Sequence, residues 1–181
     1  MTYGIDSLVE DLRTARDQES DEQSMLAAAK LAVGKVMKDG SWIKPEYRIY
    51  DEELRYGDVL LHEDDDHSFA VFAIAWAPGA TTPPHDHATW VVIATAEGEE
   101  VNTLWGQASE GRGYEPAKII NVPAGEMIGL TGNDIHSVEV PGDALTLSLH
   151  VYGTHPDHTP RSQFNPETGH ASTYTSDNPV A

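Results

Sequence analysis

Two histidines one residue apart, His85-Asp86-His87, follow Pro83-Pro84. In an extended strand, residues two apart share a face, so both imidazoles can aim one way while Asp86 turns the other. Neutral imidazole is the commonest metal-binding side chain. Alone, such a pair reads as two polar residues at a strand edge. Two further segments change that. Residues 123–140 (PAGEMIGLTGNDIHSVEV) run through a turn, a strand and a Gly-Asn-Asp turn, then reach His136 at the start of another strand. Residues 144–153 (ALTLSLHVYG) alternate, with Leu145, Leu147, Leu149 and Val151 on one face and Thr146, Ser148, His150 and Tyr152 on the other. Such alternation ordinarily puts the apolar face inside and the polar face in water. The other solution is a barrel with a polar site in its lumen and the leucines outside, under helices.

The elements before these motifs favour the second solution. Residues 5–18 space Ile5, Leu8, Val9 and Leu12 for one face of a helix. A second helix is expected over residues 21–38, opened by a Ser20/Gln23 capping box and stopped at Gly40. Its apolar set is Met25, Leu26, Ala29, Val33, Val36 and Met37. Both helices need an apolar surface to cover. Beyond Pro45 short β-type runs alternate with turn residues, at 58–62, 68–76, 89–96, 101–107, 118–122, 127–130, 136–140 and 144–153. Strands at this spacing predict an antiparallel sandwich or small barrel. The chain therefore reads as a single domain over 1–181: a helical cover over 1–45, a β-barrel over 46–153 and a polar loop or tail over 154–181. Residues 165–169 (NPETG) read as a turn. The acid run 63–66 (EDDD) reads as a solvated hairpin connection.

Composition narrows the classes of partner. The 181 residues carry a formal charge of −19 and no Cys. That excess repels phosphate backbones and anionic headgroups, so neither nucleic acid nor a membrane surface is an expected partner. No apolar run approaches the ~20 residues of a membrane span, and residues 1–20 carry acids where a secretion signal needs a basic start. A cytoplasmic location is the default expectation. Without Cys there is neither a disulfide nor a thiolate ligand. Among the nine His, His155, His158 and His170 read as exposed loop residues, and His62 and His67 merely flank the acid turn.

Together these residues resemble the cupins. Gly79, the five residues ATTPP, His85, His87 and Gly98 match the first cupin motif, and Pro123, Gly125 and His136 match the second. The motif's Glu is absent, with Val91 and Val92 in its place. Three His remain. That pattern is similar to the thiol dioxygenases, the cysteine and 3-mercaptopropionate dioxygenase group, and the stretch His85 to Trp90 (HDHATW) resembles its bacterial members. The similarity runs over 58–169. It implies a mainly β cupin barrel or jelly roll with the N-terminal α-helices packed outside. It also implies Fe(II) held by His85, His87 and His136. A small thiol and O2 would be the substrates and a sulfinic acid the product. The Ser148-His150-Tyr152 strand reproduces the group's relay, in which Tyr152 hydrogen-bonds the reacting species, His150 orients Tyr152 and Ser148 orients His150.

Departures from the group bear on the substrate. The cysteine that animal members cross-link to the Tyr corresponds to Val92. The Arg or Gln on the strand before the HxH motif lands on Asp58 or Val59, and neither can clamp a carboxylate. Arg161, nine residues after Tyr152, matches a mercaptopropionate-type Arg suited to bidentate carboxylate recognition. Arg161, Asp58 and Trp90 are thus the expected substrate-side residues, with Trp76 expected to pack in the core. Asp58 makes an amine- or betaine-bearing thiol as reasonable as a thiol acid. Three His would also accept Zn, Mn, Ni or Cu. Two alternatives stay open: another metallocupin enzyme (isomerase, lyase or carbon-cleaving dioxygenase) and a non-enzymatic cupin that binds a small molecule.

Overall fold

The computed structural model describes residues 2–109 and 111–173; Met1, Glu110 and the last eight residues of the expected tail, 174–181, lie outside the described residues. Helix α1 spans Ile5–Gln18 and buries Leu8, Val9, Leu12 and Ala15. Helix α2 spans Glu22–Asp39 and buries Met25, Ala29, Ala32, Val33 and Val36. It stops where expected, at a left-handed Gly40 with φ of 70°. Its start differs. Asp21 is the N-cap, accepting the Ser24 amide at 3.0 Å, in place of the expected Ser20/Gln23 box. A carboxylate at that position satisfies a free amide and also faces the positive end of the helix dipole.

The strands are β1 (Tyr56–Glu63), β2 (Ala70–Trp76), β3 (Val91–Glu97), β4 (Glu99–Gln107), β5 (Tyr114–Pro123), β6 (Met127–Leu130), β7 (Ile135–Glu139) and β8 (Thr146–Tyr152), with β9 (Ser162–Phe164) and β10 (Ala171–Thr173) after them. They form an antiparallel sheet in the order β1-β2-β8-β3-β6, facing a smaller one in the order β5-β4-β7, with β9 and β10 as a separate hairpin. The polar tail is therefore structured where a loop was expected. Three-residue strands are too short to register as a periodic pattern. β5 also starts at Tyr114, inside the stretch expected as a turn.

β8 lies at the centre of the larger sheet and is buried along its whole length. Its leucine face, Leu147, Leu149 and Val151, joins Val71, Ala73, Val92 and Ala94 beneath the helices. The other face, with Tyr152, looks into the lumen beside Phe72, Ile74, Trp76, Val91 and Ile93. The polar residues of β8 thus face inward, as the helical cover implies. Gly98, between β3 and β4, takes a φ of 78°, and a Cβ there would meet the Thr146 Oγ at 2.3 Å. Both constraints favour glycine at this turn. Among the described residues, no helix is long and apolar enough to cross a membrane.

The acid run is not uniformly solvated. Asp64 is buried, and Arg13 of α1 bonds its carboxylate at 2.7 Å, Arg16 at 3.2 Å and His62 at 2.8 Å. Burial alone would raise the Asp64 pKa, but the hydrogen bonds from Arg13 and His62 outweigh it and hold the carboxyl below its ordinary value. The cluster ties α1 to the turn after β1. Asp64→Ala strips the buried anchor from two half-exposed guanidinium groups and should cost about 1–3 kcal/mol in denaturant unfolding. A wild-type midpoint would show that the cluster contributes nothing.

Candidate metal centre and relay

The HxH motif is not part of a regular strand. It pairs as an isolated bridge between two strands. His85 and His136 exchange backbone hydrogen bonds of 2.8 and 2.9 Å, which sets the motif along β7. On its other side, the Asp86 amide donates to Ser162 O at 3.0 Å and the Phe164 amide to Pro84 O at 2.8 Å. The Asp86 carboxylate turns away from the lumen and accepts the Ser162 amide at 2.7 Å. β9, in the segment read as tail, therefore braces the motif.

The bridge brings three imidazoles together. One ring nitrogen from each of His85, His87 and His136 lies within 4.8 Å of the others. Two of the rings are oriented by acceptors on their far side. His85 Nδ1 lies 2.9 Å from Pro83 O, and His136 Nδ1 lies 2.9 Å from Asn102 Oδ1. Each Nδ1–H donates outward, which leaves the Nε2 lone pair for the centre. His87 Nε2 and His136 Nε2 stand 2.9 Å apart, and His87 Nδ1 is buried with no hydrogen-bond partner. Two nitrogens each ~2.1 Å from one ion and at right angles to each other stand ~3.0 Å apart. The donor set therefore fits a borderline divalent metal such as Fe or Zn, with room for further ligands on the lumen side.

Burial pushes His85 down from 6.5 to about 4, and pushes His87 and His136 well below the ordinary value, with mutual repulsion adding to it. The lone pairs stay free at neutral pH. Unfolded, the same rings take up protons near 6.5. As the pH falls below that, the unfolded chain binds protons that the folded chain refuses, so folding stability is lost. The melting temperature of metal-free protein should fall between about pH 7 and pH 5. A flat profile would mean that the rings are not held neutral.

Glu63, His67 and His158 form a second group of possible ligands. The rings of His67 and His158 stack at 3.6 Å and 18°. In-plane lone pairs of stacked rings run side by side rather than converging, so this group is the poorer metal site.

Next to the imidazole trio, Tyr152 packs its ring 5.2 Å from that of His87. Its hydroxyl lies 3.1 Å from His150 Nδ1, and His150 Nε2 lies 3.0 Å from Ser148 Oγ. These groups form a continuous hydrogen-bonded chain along one face of β8. Val92, the position matched to the cross-linked cysteine, belongs to the cluster under the helices, and Val91 is the residue directly opposite Tyr152.

A cavity of about 530 Å³ opens onto this centre. His85, His87, His136, His150 and Tyr152 line it, together with Tyr56, Asp58 and Arg161. Of the expected substrate-side residues, Asp58 and Arg161 are there. Burial raises the Tyr56 pKa, the Asp58 charge adds to that and the Arg161 charge opposes it, which places the three in one neighbourhood. Arg161 is mostly buried and pairs with Asp157 at 3.6 Å. Trp90 is not there. It packs in the cluster beneath the helices, over Gly153, where a Cβ would meet its indole nitrogen at 2.4 Å. Trp76 takes the lumen position instead, because its strand alternation points it inward. His155 also lines the cavity, 5.3 Å from the Phe72 ring, rather than lying in an exposed loop.

Two functional candidates escaped sequence reading, Glu100 and Asn102. Both are buried on the inner face of β4, and residues 97–100 were expected to be a turn. The signal was present. Once β4 is extended to Glu99, Glu100 and Asn102 fall two apart on one face.

No family model matches the chain. Its fold is similar to that of a conserved protein with a double-stranded β-helix domain from Klebsiella pneumoniae, with a TM-score of 0.50 and 12% identity over 70% of this chain and 93% of that one. A cupin superfamily protein from Desulfitobacterium hafniense gives a TM-score of 0.45 at 14% identity, covering 57% of this chain and 82% of that one. An oxalate oxidase in complex with the substrate analogue glycolate gives 0.48 at 16% identity, covering 63% of this chain and 60% of that one. The first likeness supports a double-stranded β-helix, the barrel that the resemblance to cupins implies. At these identities it speaks for the fold alone.

Proposed function

We propose that this protein is a non-haem Fe(II) thiol dioxygenase that converts a small thiol and O2 into a sulfinic acid. The observation that carries this reading is the Ser148-His150-Tyr152 chain, whose phenol end lies against a ring of the imidazole trio. A metallocupin isomerase or lyase has no need of such a chain. His85, His87 and His136 would hold the iron. When bound, Fe(II) would supply the positive charge that ionises a thiol and a path by which the sulfur, oxidised by four electrons overall, reduces O2. Tyr152 offers a hydroxyl to the reacting species, and His150 holds that hydroxyl at a fixed orientation. Arg161 faces a substrate carboxylate, and Asp58 at the mouth faces a cationic group. The cavity volume suits a small molecule.

The test is oxygen uptake by iron-loaded protein over a panel of cysteine, 3-mercaptopropionate, mercaptosuccinate, cysteamine and cationic thiols or thiones. Uptake with some members and not others is expected, with sulfinic acid as the product. Uptake that no thiol stimulates would remove the reading. Asp58→Ala should lower kcat/KM for amine-bearing thiols relative to thiol acids by about two- to fivefold, the worth of one exposed charge contact. An unchanged ratio would take Asp58 out of recognition.

A further inference from the structure

Glu100 stands at the opposite end of the relay from the imidazole trio. Its side chain is fully buried. The Trp76 indole N–H donates to its Oε1 at 2.9 Å, and His150 Nε2 lies 3.5 Å from the same oxygen. Ser148 Oγ lies 3.0 Å from the same imidazole nitrogen. Burial pushes the Glu100 pKa up, but the polar groups around it, His150 first and then Ser148 and Trp76, outweigh that and hold the carboxyl below its ordinary value.

An ionised carboxylate only accepts hydrogen bonds, and a hydroxyl has a single proton to give. Glu100 Oε1, 3.5 Å from His150 Nε2, is therefore a fixed acceptor beside that nitrogen, whereas the Ser148 hydroxyl can give or take a proton there. His150 then carries its proton on Nε2, and Nδ1 is left bare toward the Tyr152 hydroxyl. We propose that Glu100 is a positioning residue that sets the direction of this chain, so that Tyr152 donates into His150 rather than the reverse. The groups facing His150 are Glu100 from β4, Tyr152 on its own strand and His85, His87 and His136 across the lumen. Glu100 is the one carboxylate among these, so it alone breaks the symmetry between the two imidazole nitrogens. The catalytic consequence rests on the thiol dioxygenase reading; the hydrogen-bond direction does not.

The test uses nitrogen-15 NMR of the imidazoles in metal-free protein, with His150 assigned by its loss in His150→Gln. Wild type should show His150 protonated on Nε2 and bare on Nδ1. Glu100→Gln keeps the shape but can also donate, so a mixture of tautomers is expected. Ser148→Ala leaves the carboxylate near Nε2, so the wild-type tautomer should persist, which keeps the proposal open to test even if the Gln variant does not fold. A wild type protonated on Nδ1, an unchanged tautomer in Glu100→Gln, or a lost one in Ser148→Ala would each overturn it. In the iron-loaded protein, kcat for thiol-dependent oxygen uptake should drop at least about tenfold in Glu100→Gln at unchanged iron content. Normal tautomer results without any uptake in wild type would end the dioxygenase reading and leave the role of Glu100 standing.

Discussion

Replacing His85, His87 or His136 by Ala abolishes stoichiometric iron binding. The three rings converge because β7 and the HxH bridge are hydrogen-bonded backbone to backbone, so the site is set by the fold before any ion arrives. Two of the rings are held by outward acceptors, Pro83 O and Asn102 Oδ1. Losing such an outer partner typically costs 10–100-fold in metal affinity, and losing a ligand costs more. After anaerobic loading and desalting, each variant should retain less than about a tenth of the wild-type iron. His158→Ala probes the second His and Glu group and should leave the iron content unchanged. Iron that survives in the trio variants but leaves with His158 would move the centre to the cluster of Glu63, His67 and His158.

Tyr152→Phe lowers turnover by more than tenfold while iron stays bound. The phenol ring is buried and packs on His87 and Phe72, contacts that Phe keeps. What is lost is the hydroxyl, 3.1 Å from His150 Nδ1. Positioned acid–base groups contribute about 10²–10⁴ in rate, so the effect should fall on kcat rather than on KM or metal content. Anaerobic iron titration and steady-state oxygen uptake separate these quantities. Full activity in the Phe variant would remove the relay from catalysis.

Much of this arrangement was legible in the sequence. The alternation in β8 had two readings, and the unpaired apolar faces of α1 and α2 selected the one with a polar lumen. His85, His87 and His136 were identifiable because metal sites reuse few residue types at fixed spacings. Residues whose roles depend on a strand boundary were not. Glu100 lay inside an assumed turn over residues 97–100, and Asn102 two residues beyond it. Trp90 was expected on the substrate side, but the chain takes a left-handed turn at Ala88 (φ 53°) and Trp90 ends on the helix side. β9 carries little pattern in three residues, and its role appears only in its pairing with Pro84 and Asp86.

The account depends most on where the oxygen atoms go. Iron-loaded protein, turning over its best thiol under ¹⁸O₂, should give a sulfinic acid carrying both labelled atoms, identified by mass spectrometry, with uptake abolished in His136→Ala. A product with one label or none, or a disulfide alone, would contradict it.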